Sequence, residues 1–184
     1  MDVEKGLLET GLSPIFNEQT PEVLPWTHTN SIEVMDFCNY LLFYAKFCPH
    51  LSLAGLAANQ LQKNEKRINS NVCVIKNKGD WIIAINPMII GLSGATFTSR
   101  EGCLTWPKKE IIAIRHEIVQ VSYYDLTGEP ISLTADGFEA IVWQHEINHL
   151  SGIEENIADP ECKINPNSKC ECGSGQKFKK CCGR

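Results

Sequence analysis

Apolar residues recur every three to four positions in SIEVMDFCNYLLFYAKFC (31–48), where Ile32, Met35, Cys38, Leu41 or Leu42 and Ala45 share one helical face. Ser31 offers an N-cap and Pro49 a stop, so the spacing predicts a helix. The period shortens in NVCVI (71–75), WIIAI (81–85) and EIVQVSYYD (117–125), which are rich in β-branched and aromatic residues. Turn signals such as Lys78-Gly79-Asp80 and Thr127-Gly128-Glu129-Pro130 bound them, which predicts strands, several paired as antiparallel hairpins. The helical period returns after Asp136, which forms a capping-box pattern with Glu139; this second helix runs to Ser151 and stops at Gly152. The predicted class is α+β, mostly antiparallel sheet around that central helix, with no internal repeat.

Composition adds limits. At 184 residues, 43% of them hydrophobic, the chain is long enough for one packed domain and a small appendage. No apolar run approaches the roughly 20 residues that span a bilayer. The opening MDVEKGLLET has acidic residues and lacks the basic start and apolar stretch of a secretion signal. The expectation is a cytoplasmic protein with no membrane partner and with its thiols kept reduced. Charge divides the chain: from Lys163 onward six Lys or Arg face one Glu, a net +5, which leaves −10 for the rest of a chain whose total is −5. Asn165-Pro166-Asn167-Ser168 reads as a linker, so the domains expected are residues 1–160 and a basic tail, 161–184.

The second helix carries His145-Glu146-Ile147-Asn148-His149, an HExxH. Residues four apart lie one turn apart on one face, so both imidazoles can grip one metal ion while Glu146 projects beside it. Phe138, Val142, His145 and His149 fall on one stripe, which is expected to face the core. The plain alternative, two core histidines satisfied by hydrogen bonds, leaves Glu146 in an apolar wall without a purpose. A catalytic site of this kind usually takes three protein ligands and keeps one position open. No His follows residue 149, and Glu154 and Glu155 stand too close behind it. Cys103, in Glu101-Gly102-Cys103-Leu104-Thr105 between strand segments, offers a thiolate that would complete an S,N,N set suited to zinc or ferrous iron. Cys38, Cys48, Cys73 and Cys162 are read as core or incidental thiols.

Three ordered segments, Gly55-Leu56-Ala57-Ala58-Asn59-Gln60, Glu101 to Thr105 and Gln144 to Leu150, resemble the three signature motifs of bacterial peptide deformylases, over about residues 14–152. The resemblance implies removal of the formyl group from N-formylmethionyl nascent peptides. It also implies a metal on Cys103, His145 and His149, ferrous iron in many members and zinc or nickel in others. Glu146 would act as general base and then acid. The Gln60 amide and the Leu104 backbone N–H would donate to the developing oxyanion. Gly55 would let the substrate backbone come close, and Phe138, Ile141 and Val142 would line a pocket for a methionine side chain. Three places depart from the family pattern: Leu53 stands where a glycine is usual, Asn148 where an Asp would pair with a basic residue such as Arg115, and Glu154-Glu155-Asn156 where the chain after the helix is usually more apolar.

In the tail, Cys170, Cys172, Cys181 and Cys182 form two thiol pairs around a Gly-Ser-Gly turn, enough for a closed structural zinc site. Residues 169–183 resemble the short zinc tail (SEC-C type) that ends the bacterial preprotein translocase motor. Lys177, Lys179, Lys180 and Arg184 give this tail a charge that suits phosphate, and hence a ribosome. Two other readings follow from the departures: a hydrolase of another N-formyl substrate, or an inactive binding protein docked at ribosomes or a translocation partner.

Overall fold

The computed structural model describes residues 19–23, 28–47, 53–63, 66–67, 70–106, 109–153, 156–158, 167, 169 and 175–181. Helix α1 spans His28–Phe47. After it come β1 (Gly55–Ala57), a single 3-10 turn over residues 58–60, and the short strands β2 (Gln62–Lys63) and β3 (Lys66–Arg67). Strands β4 (Val72–Asn77), β5 (Asp80–Gly102), β6 (Glu110–Tyr124) and β7 (Pro130–Asp136) lead into α2 (Gly137–Leu150), and β8 (Asn156–Ala158) follows. One sheet runs in the order β1-β4-β5-β6-β7, with β8 pairing the start of β6; β2 and β3 pair with each other. Every pairing is antiparallel.

Strand alternation explains the layers. Side chains of successive strand residues point to opposite faces. On β4, Val72 and Val74 bury one way, with Cys38, Leu41, Tyr44 and Ala45 of α1. Cys73 and Ile75 bury the other way, with Ala140, Val142, Trp143, Ile147 and Leu150 of α2. The sheet is therefore covered on both faces at β4, which accounts for its near-continuous apolar run. Val119, Val121 and Tyr123 of β6 extend the floor under α2, where Tyr123 stacks on Trp143 with ring centroids 5.6 Å apart.

Several sequence expectations change in three dimensions. Helix α1 begins at His28, so Ser31 lies inside it and does not cap it; Met35 is exposed while Tyr44 joins the buried stripe. The expected strand 81–85 is only the start of a 23-residue strand, and 117–125 the end of a 15-residue one. Pairing along β5 shifts register at three places, between Ile85 and Met88, Ile89 and Gly91, and Ser93 and Thr96. These shifts bend the ribbon and obscure its alternation in sequence. The capping box at α2 does not form: the Asp136 side chain makes no cap bond, and Glu139 accepts the Lys78 backbone N–H at 2.9 Å. The C-terminal stop does form. Gly152 adopts φ +67°, its N–H reaches the His149 carbonyl, and the Ile153 N–H reaches Asn148, a Schellman closure that a β-carbon would strain. Cys38 and Cys73 are buried core thiols, as read from the sequence, whereas Cys48 and Cys162 lie outside the described residues. In the tail, Lys169 bridges Lys177 and a 3-10 turn spans Phe178–Lys180. Cys181 is partly buried there, while Cys170, Cys172, Cys182 and Arg184 lie outside the described residues.

Candidate active site

Helix α2 presents both histidines of the HExxH inward because its opposite flank is seated on β6. Gln144 makes that seat, accepting the His116 N–H through Oε1 at 2.9 Å and donating through Nε2 to the His116 carbonyl at 3.0 Å. One turn apart, His145 and His149 bring their Nε2 atoms to 3.1 Å. Cys103, which follows directly on β5, places Sγ 3.3 Å from His149 Nε2. All three donor atoms lie within 4.8 Å of one another. Tetrahedral bonds of the usual zinc lengths separate such ligand atoms by roughly 3.3–3.6 Å, so the set fits one divalent ion after small adjustments. One soft sulfur and two imidazoles are the donors the sequence reading named.

The surroundings prepare those donors. Glu101, near the end of β5 and two residues before Cys103, places its Oε2 2.7 Å from His145 Nδ1. With Nδ1 bonded there, Nε2 is turned toward the metal-binding cluster. Arg115 holds Glu101 in turn, donating from Nε and from its second terminal nitrogen at 2.7 Å each. Burial works against the Glu101 charge, yet Arg115 and His145 hold its carboxyl at about 2. Burial likewise draws His145 down, but Cys103 and Glu101 outweigh it and keep the imidazole well above the usual histidine range. His149 is driven well below that range by burial first and then by His145 beside it. A metal entering this set would replace the His145 Nε2 proton, so binding should release a proton.

Gln60 sits at the end of the 3-10 turn after β1. Its Oε1 accepts the Ala57 N–H at 2.8 Å, which fixes the amide plane. Its Nε2 then donates to Thr105 Oγ1 at 3.1 Å and reaches Cys103 Sγ at 3.5 Å. The longer of these aims an N–H at the metal cluster. Cys103 to Trp106 closes a turn through the Trp106 N–H and the Cys103 carbonyl, with Leu104 at its first corner beside the thiol.

A cavity of about 520 Å³ opens beside these groups, lined by Gly55, Leu53, Leu104, Phe138, Ile141 and Val142 together with Gln60, Cys103, His145 and Glu146. Every site residue named for the catalytic domain is thus at one place. Phe138 is a correction to the stripe: it is 68% exposed, and its ring lines the cavity instead of packing in the core. Gly55 has a second reason to be glycine. A β-carbon there would stand 2.7 Å from Glu146 Oε1 and 2.8 Å from Glu146 Cγ and Val142 Cγ1, so Glu146 lies directly on the bare backbone of β1. Glu101, Thr105 and Asn59 carry no role in the sequence reading; for Glu101 its closeness to Cys103 in the chain was a usable signal.

Fold and site together define the class: an antiparallel α+β protein with the donor set of a mononuclear HExxH centre. The polypeptide deformylase family model matches residues 21–158, and the SEC-C motif matches residues 167–184. The chain belongs to the polypeptide deformylase family. It is 36% identical over 98 residues to the peptide deformylase of Desulfosudis oleivorans, spanning 53% of this chain and 57% of that one. To the Orientia tsutsugamushi peptide deformylase it is 34% identical over 108 residues, 54% of this chain and 60% of the relative. To rice chloroplastic peptide deformylase 1B it is 33% identical over 99 residues, 54% of this chain and 37% of the relative. The chain thus matches between 37% and 60% of the length of these curated relatives. Among solved structures, a Synechococcus elongatus peptide deformylase in complex with actinonin superposes with a TM-score of 0.66 at 30% identity, over 80% of this chain and 74% of that one. The deformylase of Vibrio parahaemolyticus bacteriophage VP16T gives 0.66 at 27% identity, over 80% and 98%. No helix among the described residues is long and apolar enough to cross a membrane.

Proposed function

We propose that this protein is a metal-dependent peptide deformylase that hydrolyses the N-formyl group of N-formylmethionyl nascent peptides. The observation that carries this is the convergence of Cys103, His145 and His149 into one ligand set, of which Cys103 and His145, with Glu146, form one wall of an otherwise largely apolar cavity. When bound, the metal supplies Lewis acidity that lowers the pKa of a water and polarises the formyl carbonyl. Glu146 takes a proton from the attacking water as its oxygen bonds to the formyl carbon. The Gln60 amide and the Leu104 N–H donate to the oxygen that gains charge. As the carbon–nitrogen bond breaks, Glu146 returns the proton to the departing amine, giving formate and a free N-terminus. Phe138, Ile141 and Val142 take the methionine side chain. Ferrous iron is the metal proposed, with zinc or nickel as substitutes, and the cytoplasm is the site of action.

Residues 1–160 form the proposed catalytic domain. In the tail, residues 161–184, Zn2+ is held by Cys170, Cys172, Cys181 and Cys182, and the exposed Lys177, Lys179 and Lys180 contact ribosomal phosphate. Leu53 at the cavity wall favours one second reading, a hydrolase of a different N-formyl compound.

Glu146→Gln tests the reaction. Metal content should be unchanged, and turnover of a formyl-Met peptide should fall at least ~10²–10⁴-fold. Near-normal turnover with metal confirmed overturns the mechanism, and efficient hydrolysis of another formyl compound with none on formyl-Met peptides selects the second reading. Deleting residues 163–184 tests the tail: peptide activity should persist while salt-sensitive co-sedimentation with ribosomes is lost. Equal co-sedimentation of the truncated protein refutes the docking role.

A further inference from the structure

The 3-10 turn that carries Gln60 carries a second polar side chain whose contact belongs to neither the reaction nor the cavity. Asn59 is buried, and its Nδ2 donates to the backbone carbonyl of His149 at 2.7 Å. That carbonyl belongs to the last turn of α2, where the helix has no further N–H of its own to offer. Besides Asn59 it meets N–H groups of the closing turn: that of Ser151, shared with the Ile147 carbonyl, and that of Gly152 at 3.3 Å. The oxygen of the amide, Asn59 Oδ1, is buried with no hydrogen-bond partner among the described residues. An amide kept in the interior with one end unsatisfied is a cost that an apolar residue would avoid, so its donated bond points to a specific use.

Adjacent residues of one turn therefore reach opposite parts of the metal cluster. Gln60 engages Thr105 and Cys103, on the loop after β5, and Asn59 engages His149, on the helix. The turn is itself held to the β1 backbone through Ala57 and Gln60. We infer that Asn59 is a positioning residue for the metal centre: it fixes the His149 end of α2 against the Cys103 loop, so that sulfur and imidazole are already near binding distance before an ion arrives. The inference rests on the metal reading above. It goes further in assigning the preorganisation of the ligand set to a side chain that touches no ligand atom.

The test is Co2+ affinity, read from the thiolate-to-cobalt absorption of the full-length protein after subtraction of that of Cys103→Ser, which keeps the tail cysteines, and from metal competition, beside thermal unfolding with and without metal. Asn59→Ala should weaken Co2+ binding on the order of tenfold or more, the scale found for groups that orient ligands. The rise in Tm that metal confers should shrink accordingly. Thr20→Val is the control: Thr20 Oγ1 donates to the Leu150 carbonyl at 3.0 Å, the next residue of the same helix end but not a ligand. It should lower Tm while leaving Co2+ affinity within about twofold. If Asn59→Ala does not fold, Asn59→Ser, whose shorter hydroxyl falls short of the carbonyl, is read in the same way. Equal affinity in wild type and the Asn59 variant overturns the inference, as does an equal loss in Thr20→Val or a fall in Tm with the metal increment intact. If the wild-type protein gives no thiolate band beyond that of Cys103→Ser, the metal centre itself is wrong and the inference falls with it.

Discussion

Gly55→Ala is a one-methyl perturbation with a defined target. The added carbon would lie 2.7 Å from Glu146 Oε1 and 2.8 Å from Glu146 Cγ and Val142 Cγ1. Ordinary contact begins near 3.4 Å, so the carboxylate and the valine must each yield by about 0.6–0.7 Å or the β1 backbone must retreat. Overpacking of this kind costs typically ~1–3 kcal/mol of stability. Catalysis should suffer by a comparable free energy, since a misplacement of about 1 Å can cost ~10²-fold; kcat should fall on the order of 10–10²-fold with metal retained. Steady-state kinetics on a formyl-Met-Ala-type peptide, with metal analysis and thermal unfolding, separate the two costs. Adding Val142→Ala should recover part of the stability but not kcat, because the contact with Glu146 remains. In a Glu146→Gln background, Gly55→Ala should remove little further activity, as expected of residues acting as a unit. A variant that raises KM while leaving kcat intact would refute this reasoning and return Gly55 to the role implied by family resemblance, admission of the substrate backbone.

Cys103→Ser should lower metal occupancy after dialysis, since a neutral hydroxyl is a far poorer ligand than a thiolate; unchanged occupancy would put the third ligand elsewhere. Burial pushes the Cys38 thiol from an ordinary 9.0 up to about 12. Its raised folded-state value contributes stability that is fully present below about pH 9 and is lost as pH rises toward 12, so Cys38→Ala should flatten the fall in stability across that alkaline window. The same burial should protect Cys38 and Cys73 from alkylation at pH 8 in the folded protein, while in the metal-free protein the partly exposed Cys103 and Cys181 react first; rapid labelling of Cys38, read by peptide mass spectrometry, would contradict its placement.

The parts of this protein readable from sequence are those whose geometry is local. His145 and His149 fall on one face of α2 because a helix repeats every 3.6 residues, whatever surrounds it. Gly152 ends that helix because only a residue at ease with positive φ closes it. The thiol in EGCLT and the three ordered motifs were visible as residue types at fixed spacing. Other features arise only when distant segments meet. The length of β5 is set by pairing with β6 across three register shifts, so alternation read along one strand could not reveal it. Phe138 shares a helical stripe with Val142 but not its burial, because it borders an open cavity and is absent from the packed core. Asp136 and Glu139 match a capping box, yet Glu139 finds the Lys78 N–H from another loop. The role of Asn59 depends on a contact across 90 residues and the glycine at 55 on the carboxylate at 146, and neither partner is implied by the local chain. Sequence determined which side chains could hold a metal and move a proton; tertiary structure decided which groups hold those side chains in place, because that support comes from packing and hydrogen bonds between segments far apart in the chain.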